Sequence, residues 1–200
     1  MSYQLALFLA GFIYIVTPGP VFLAIISLVS KRGKAFGFKF VSGAIFGCMM
    51  WLVLTCASII EADKLPHVLF TALAVLCAGY LFYLGAKMIM SSVKEKKDLV
   101  FNKPFRDGLM LASLNPKSYP VMASVFTGVS IQYSELMTWS QFWEVFVFGV
   151  LGFASGYSFM VMMADIKPIK TFYVRHIRYA SIVFGLVFWG FAISLLYGVF

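Results

Sequence analysis

Long apolar stretches alternate with short polar ones along the whole chain. Six of them reach the roughly 20 residues that a helix needs to cross a bilayer: about 4–29, 40–60, 66–91, 108–131, 142–164 and 179–199. The pattern therefore predicts an all-α integral membrane protein with six transmembrane helices. The stretch 108–131 is the least uniform, because two prolines, an asparagine and a lysine interrupt it. A five-span protein that lacks this segment is the alternative topology.

Proline breaks two of these stretches, one in each half of the chain. The breaks are Thr17-Pro18-Gly19-Pro20 and Asn115-Pro116-Lys117-Ser118. Proline opens the backbone hydrogen-bond ladder of a helix, and within lipid this is tolerated only against protein or a water-filled cavity. Paired breaks in corresponding segments indicate the binding site of a transporter. We therefore predict that these eight residues bind a substrate, the alternative being simple helix kinks: Thr17, Pro18, Gly19, Pro20, Asn115, Pro116, Lys117 and Ser118.

The basic residues predict the orientation. Thirteen lysines and arginines fall in loops 31–39, 92–107 and 165–178, whereas loops 61–65 and 132–141 hold one. Loops rich in lysine and arginine stay in the cytoplasm, so both termini are predicted to be periplasmic. The two halves then have opposite orientations, which is the pattern of two inverted three-helix repeats with breaks in helices 1 and 4. We predict a single transmembrane domain, 1–200, with repeats at about 1–92 and 108–200 and a linker at about 93–107.

Composition agrees with this interpretation. Hydrophobic residues make up 62% of the 200 residues and charged residues only 12%, far from the balance of a soluble domain. The net charge of +8 lies in short loops, so the predicted partner is the lipid bilayer and not nucleic acid. The three cysteines form no C-x-x-C motif, and no nucleophile–base or metal-ligand pattern appears. We predict no enzymatic activity, no metal and no cofactor.

Charge inside the apolar segments is scarce. Lys117 lies about ten residues into its span, and a central lysine costs about 2.5–3.5 kcal/mol on insertion scales. It therefore needs a partner or a wet cavity, where it could hold a carboxylate; the alternative is an internal pair that only stabilises the fold. Glu144 and Asp165 lie at segment ends, as candidates for ion coupling or an ion pair, and Asp165, near the inner end of its span, could pair with Lys117 or a basic loop. The alternative for both is a solvated helix end.

Two Gly-x-x-x-Gly motifs, Gly43/Gly47 and Gly152/Gly156, allow helices to approach closely. The sequence leaves open whether they make contacts within the chain or form a homodimer.

Several local motifs together resemble one family. They are Thr17-Pro18-Gly19-Pro20 with Ser30-Lys31-Arg32-Gly33, the run 79–85, Phe105-Arg106-Asp107-Gly108 with Leu114-Asn115-Pro116-Lys117, and the glycines at 185 and 190. Over the whole chain they resemble the LysE/RhtB family of bacterial inner-membrane amino-acid exporters. The chain departs from the family pattern at Cys48, where many relatives carry a polar or acidic residue, and at 125–129. The resemblance implies export, coupling to the proton motive force and location in the bacterial inner membrane.

The broken segments together with this resemblance predict a secondary transporter, and the resemblance implies that it exports a small amino acid or a related metabolite. Lys117 and Asn115 would hold the substrate carboxylate, and carbonyls near Val16 and Thr17 its ammonium group. A cationic side chain would require a buried acid, and none falls at mid-span, so a neutral amino acid is favoured over lysine or arginine. The alternatives are a membrane scaffold or assembly subunit that transports nothing, and a passive channel.

Overall fold

Helices account for all of the regular structure in the described part of the chain. The computed structural model describes residues 2–17, 19–61, 67–90, 102–115, 118–166, 171 and 177–197. The α-helices are α1 (Tyr3–Val16), α2 (Pro20–Arg32), α3 (Lys34–Ile60), α4 (His67–Met90), α5 (Pro104–Ser113), α6 (Ser118–Gln132), α7 (Phe142–Asp165) and α8 (Ile177–Tyr197). Two short 3-10 turns, Ser134–Leu136 and Trp139–Gln141, precede α7. The prediction of an all-α fold is confirmed for these ranges.

The first and fourth apolar stretches are each divided into two helices. Between α1 and α2 the backbone is extended at Thr17 (φ −60°, ψ 121°) and at Gly19 (φ −178°, ψ −168°). Between α5 and α6 the helix ends at Ser113 and a new one begins at Ser118. Pro18, Pro116 and Lys117 lie outside the described residues.

Two helix boundaries differ from the sequence prediction. Most of the predicted loop 31–39 is helical, because α3 begins at Lys34, directly after Gly33. Gly33 has a φ of 82°, a left-handed conformation that glycine adopts without steric cost, so one residue makes the turn. The fourth stretch begins early, at Pro104 rather than 108, because Asp107 accepts a hydrogen bond from the Lys103 N–H (3.0 Å) and caps the new helix.

Three helix pairs form the core: α1 with α7, α3 with α5, and α4 with α8. In the first pair, a Cβ added to Gly152 would overlap the carbonyl oxygen of Phe8. In the second, a Cβ added to Gly43 would overlap the carbonyl oxygen of Phe105. Both Gly-x-x-x-Gly motifs therefore serve contacts within the chain.

The interfaces α1–α7 and α3–α5 match residue for residue. A Cβ on Gly47 would lie 2.8 Å from Ala112 Cβ and 2.9 Å from the Leu109 carbonyl oxygen. At the equivalent places, a Cβ on Gly156 would lie 2.9 Å from Ile15 Cβ and 3.4 Å from the Phe12 carbonyl oxygen. In both interfaces the contacts advance in the same direction along the two helices, so each pair runs parallel.

The outer faces of the helices are apolar. Large hydrophobic side chains are exposed on several of them, including Phe46 on α3, Leu76 on α4, Leu151 on α7 and Leu186 on α8. Exposed apolar surface on this scale marks contact with a membrane or a partner. By length and composition, the described residues include two helices able to cross a bilayer, Lys34–Ile60 and Trp139–Asp165, with Tyr3–Val16 as a shorter apolar helix.

Candidate functional site

A small cavity lies where the two broken segments meet. Its volume is about 10 Å³, room for about one water molecule. Its walls come from α1, α2, α3 and α7 and from both sides of the break between α5 and α6. The lining residues are Tyr14, Ile15, Thr17, Val21, Phe22, Cys48, Ala112, Asn115, Ser118 and Tyr157.

Three of the eight predicted site residues line this cavity together. Thr17 and Asn115 are only 7% and 4% exposed, and Ser118 is fully buried. Gly19 is buried at the first break but does not line the cavity. Pro20 is the first residue of α2, while Pro18, Pro116 and Lys117 belong to the part of the chain that is not described. The structure thus brings one polar residue of the first break and two of the second to the same space.

The first break turns the end of α1 towards the cavity. Both the backbone N–H of Thr17 (2.9 Å) and its hydroxyl (2.7 Å) donate to the carbonyl oxygen of Ile13. Pro18 and Pro20 have no N–H, so the carbonyls of Tyr14 and Val16 lack the donor that a continuous helix would supply. The end of α1 therefore offers hydrogen-bond acceptors beside the cavity.

The second break is closed by side chains of its neighbours. The indole N–H of Trp51 on α3 donates to the carbonyl oxygens of Ala112 (3.3 Å) and Ser113 (3.1 Å) at the end of α5. The hydroxyl of Ser118 also donates to Ala112 (3.4 Å), and its N–H to the Asn115 carbonyl (3.0 Å). The last acceptors of α5 are thus used within the protein, which leaves the N-terminus of α6, with its partial positive charge, at the cavity.

A third polar wall was not predicted from the sequence. Cys48 on α3 lies between two phenol groups, 3.7 Å from the hydroxyl of Tyr14 on α1 and 3.4 Å from that of Tyr157 on α7. From the sequence, Cys48 stood out only as a departure from a family pattern, and neither tyrosine was a predicted site residue. The sequence did contain a signal for both tyrosines. Tyr14 precedes Thr17 by about one helical turn, which puts the two on the same face of the helix. Tyr157 directly follows Gly156, just as Cys48 directly follows Gly47.

The described lining of the cavity is electrically neutral. Its polar groups are the thiol of Cys48, the amide of Asn115 and four hydroxyls, those of Tyr14, Thr17, Ser118 and Tyr157. The two predicted acids lie elsewhere. Asp165 pairs with Lys34 at 2.9 Å, with both side chains about half exposed, and Glu144 accepts a hydrogen bond from Gln4 at the start of α7. Among the described residues, no group of three histidine, cysteine or acidic side chains could hold a metal ion.

Comparisons with known proteins identify the family of the chain. The family model described as LysE type translocator matches residues 12–199. A leucine efflux protein of Salmonella typhimurium is 31% identical over 126 residues, which cover 60% of this chain and 59% of that protein. An uncharacterized membrane protein of Pseudomonas aeruginosa is 27% identical over 130 residues, 60% of each chain. The chain thus spans about 60% of the length of these curated relatives. No solved structure matches it significantly.

Proposed function

The chain belongs to the LysE type translocator family of membrane proteins, and from that premise we propose that it is a secondary transporter that exports a small amino acid or a related metabolite across the bacterial inner membrane. A relative named leucine efflux protein supports an amino-acid substrate. The observation that carries the proposal is the shared cavity of Thr17, Asn115 and Ser118, because broken helices in both halves supply polar groups at the binding site of many transporters.

In this proposal the two breaks bind opposite ends of the substrate. The amide of Asn115, the ammonium group of Lys117 and the N-terminus of α6 hold the carboxylate. The carbonyl oxygens at the end of α1 hold the ammonium group of the amino acid. The proposed site consists of Thr17 to Pro20 and Asn115 to Ser118. Asp165 and Glu144 lie outside it, where they make contacts at helix ends.

We favour a neutral amino acid. The side chain of the substrate would meet Ile15, Val21 and Phe22, which are the apolar part of the lining. The described polar lining consists of neutral groups. A lysine or arginine substrate would bury a second cation, its side chain, in addition to its ammonium group, and this costs several kcal/mol more than burying an apolar side chain. Leucine, alanine and similar residues fit this wall better than lysine or arginine.

Alternating access through two inverted repeats is the proposed mechanism. The matched interfaces α1–α7 and α3–α5 support it. In two such repeats α1 corresponds to α5 and α7 corresponds to α3, so the two interfaces are equivalent. The parallel packing of α1 and α7 supports six spans over five, since with five spans these helices would run in opposite directions. In the described conformation the cavity admits about one water, so we interpret this state as occluded. Both termini are proposed to face the periplasm.

Export from proteoliposomes tests the proposal. Vesicles that contain the purified protein are loaded with labelled leucine, alanine, lysine or glutamate, and efflux is measured with and without an imposed proton gradient. We expect gradient-dependent efflux of the neutral amino acids. Asn115→Ala should abolish most of this efflux, while Asn102→Ala, at an exposed position, should leave it unchanged. No efflux of any amino acid would refute export, and efflux that ignores the gradient would identify a passive channel.

A further inference from the structure

Two buried tyrosines in the cavity form hydrogen bonds with a sulfur atom. The hydroxyls of Tyr14 and Tyr157 both contact the Sγ atom of Cys48, at 3.7 and 3.4 Å. Ser118, the first residue of α6, lines the same cavity. Three helices and the start of a fourth thus direct hydrogen-bonding groups at one point of the cavity wall.

Sulfur is a weak partner for a phenol. A thiol is both a weak donor and a weak acceptor, whereas an O–H···O⁻ bond to a carboxylate is short and roughly twice as strong as a neutral one. A carboxylate that entered the cavity would therefore replace two weak bonds with two strong ones. Because the bonds to sulfur are weak, breaking them costs little free energy. The binding of a carboxylate would therefore gain nearly the full strength of the new hydrogen bonds.

The positions of the two phenols are fixed by close helix packing. Tyr14 and Tyr157 belong to the α1–α7 pair, in which Gly11 and Gly152 bring the backbones into direct contact. The ring of Tyr14 packs against that of Phe153, with centroids 5.4 Å apart. A binding group held in this way loses little entropy when a ligand arrives.

The cluster also lies where the two halves of the chain meet. Cys48 follows Gly47 on α3 and Tyr157 follows Gly156 on α7, so the two residues occupy equivalent places in the matched interfaces. They contact each other directly, which puts the cluster on the boundary between the halves. Tyr14 has Leu111 as its equivalent on α5, so this recognition surface differs chemically on its two sides.

We propose that the hydroxyls of Tyr14 and Tyr157 donate hydrogen bonds to the carboxylate of the transported amino acid, and that Cys48 holds both hydroxyls when the site is empty. This inference rests on the proposed export function and assigns it a recognition element. The carboxylate would lie between the tyrosines and the N-terminus of α6, on the side of the cavity where Ser118 begins that helix.

Protection of Cys48 from alkylation measures occupancy of this site directly. A variant with Cys56→Ala and Cys77→Ala keeps Cys48 as its only thiol. We expect leucine to slow the reaction of Cys48 with a small maleimide, and leucinamide, which has no carboxylate, to leave the rate unchanged. Tyr157→Phe in this background should raise the leucine concentration for half-protection at least about tenfold. Tyr197→Phe, at a position that is 83% exposed, is the matched control.

Efflux kinetics separate recognition from simple packing. Tyr14→Phe and Tyr157→Phe should raise the KM for leucine while kcat changes little, whereas Asn102→Ala, at an exposed position, should change neither. If the two hydroxyls served only packing, both substitutions would instead lower stability and kcat and leave the KM unchanged. If the unmodified protein exports leucine while both tyrosine variants keep its KM and half-protection values, the inference is wrong and the export function stands. If leucinamide protects as well as leucine, the carboxylate assignment is wrong. If the unmodified protein exports no amino acid, the proposed function itself fails.

Discussion

The substitution Gly108→Ala tests whether close backbone contact holds the broken helix α5 in place. A Cβ at this position would overlap the carbonyl oxygen of Phe40 and would lie 2.9 Å from its carbonyl carbon and 3.2 Å from the Ala44 nitrogen. All three atoms belong to the backbone of α3, so no side chain can rotate away. The two helices must therefore separate along the interface.

The expected cost follows from that separation. A gap of about 0.5–1 Å forfeits a quarter to a half of the dispersion attraction between the atoms it divides, and overpacking of a tight interface typically costs about 1–3 kcal/mol. Replacing glycine by alanine inside a helix returns about 0.5–1 kcal/mol. Because backbone meets backbone here, we expect the upper end of the range, a net loss of about 2 kcal/mol.

Unfolding of the purified protein in detergent measures this loss. The matched control is Gly128→Ala, because a Cβ at Gly128 in α6 would meet no atom within 4 Å, so the variant should gain up to about 1 kcal/mol. Gly11→Ala is the equivalent change in the α1–α7 interface and should cost a similar amount. If Gly108→Ala proves as stable as Gly128→Ala, close backbone contact between α3 and α5 does not contribute to the stability of the protein.

Three further substitutions probe separate interactions. Thr55→Val should stabilise the protein by about 1 kcal/mol, because the buried Thr55 hydroxyl has no hydrogen-bond partner among the described residues; a loss in the same unfolding assay would show that the hydroxyl is bonded. Trp51→Phe should lower stability by about 1–2 kcal/mol and slow efflux, because it removes the donor to the end of α5, whereas Trp143→Phe, at a 70% exposed position, should do neither. Asp165→Asn should cost less than about 1 kcal/mol, since its pair with Lys34 is half exposed, and the difference should vanish in high salt; a loss that persists in salt would contradict this.

Much of the fold follows from short-range features of the sequence. Apolar stretches indicate helices, and the prolines at 18 and 116 mark where two of these helices divide. The start of α3 at Lys34 could not be predicted in this way, because the lysines that suggested a loop are tolerated in a helix whose end leaves the membrane. Loop charge thus predicts helix ends poorly.

Half of the polar residues that line the cavity were predictable from the sequence. Thr17, Asn115 and Ser118 could be predicted because a break in a membrane helix is visible in one segment at a time. Tyr14 and Tyr157 could not, because periodicity defines the faces of a single helix but not which helix packs against it. The pairing of α1 with α7, together with the packing of α7 against α3, brings these tyrosines to Cys48.

The glycine motifs and the proline breaks, which the sequence presents as separate features, combine to position the cavity. Gly11 anchors α1 on α7 about two turns before Thr17, and Gly108 anchors α5 on α3 about two turns before Asn115. The residues at each break are therefore held at a fixed position along the axis of the partner helix. Tyr157 and Cys48 lie on those partner helices, one residue beyond a contact glycine. The spacing from glycine to break thus sets how the polar groups of four helices converge, and a loosened glycine contact would disperse the site even if every lining residue remained.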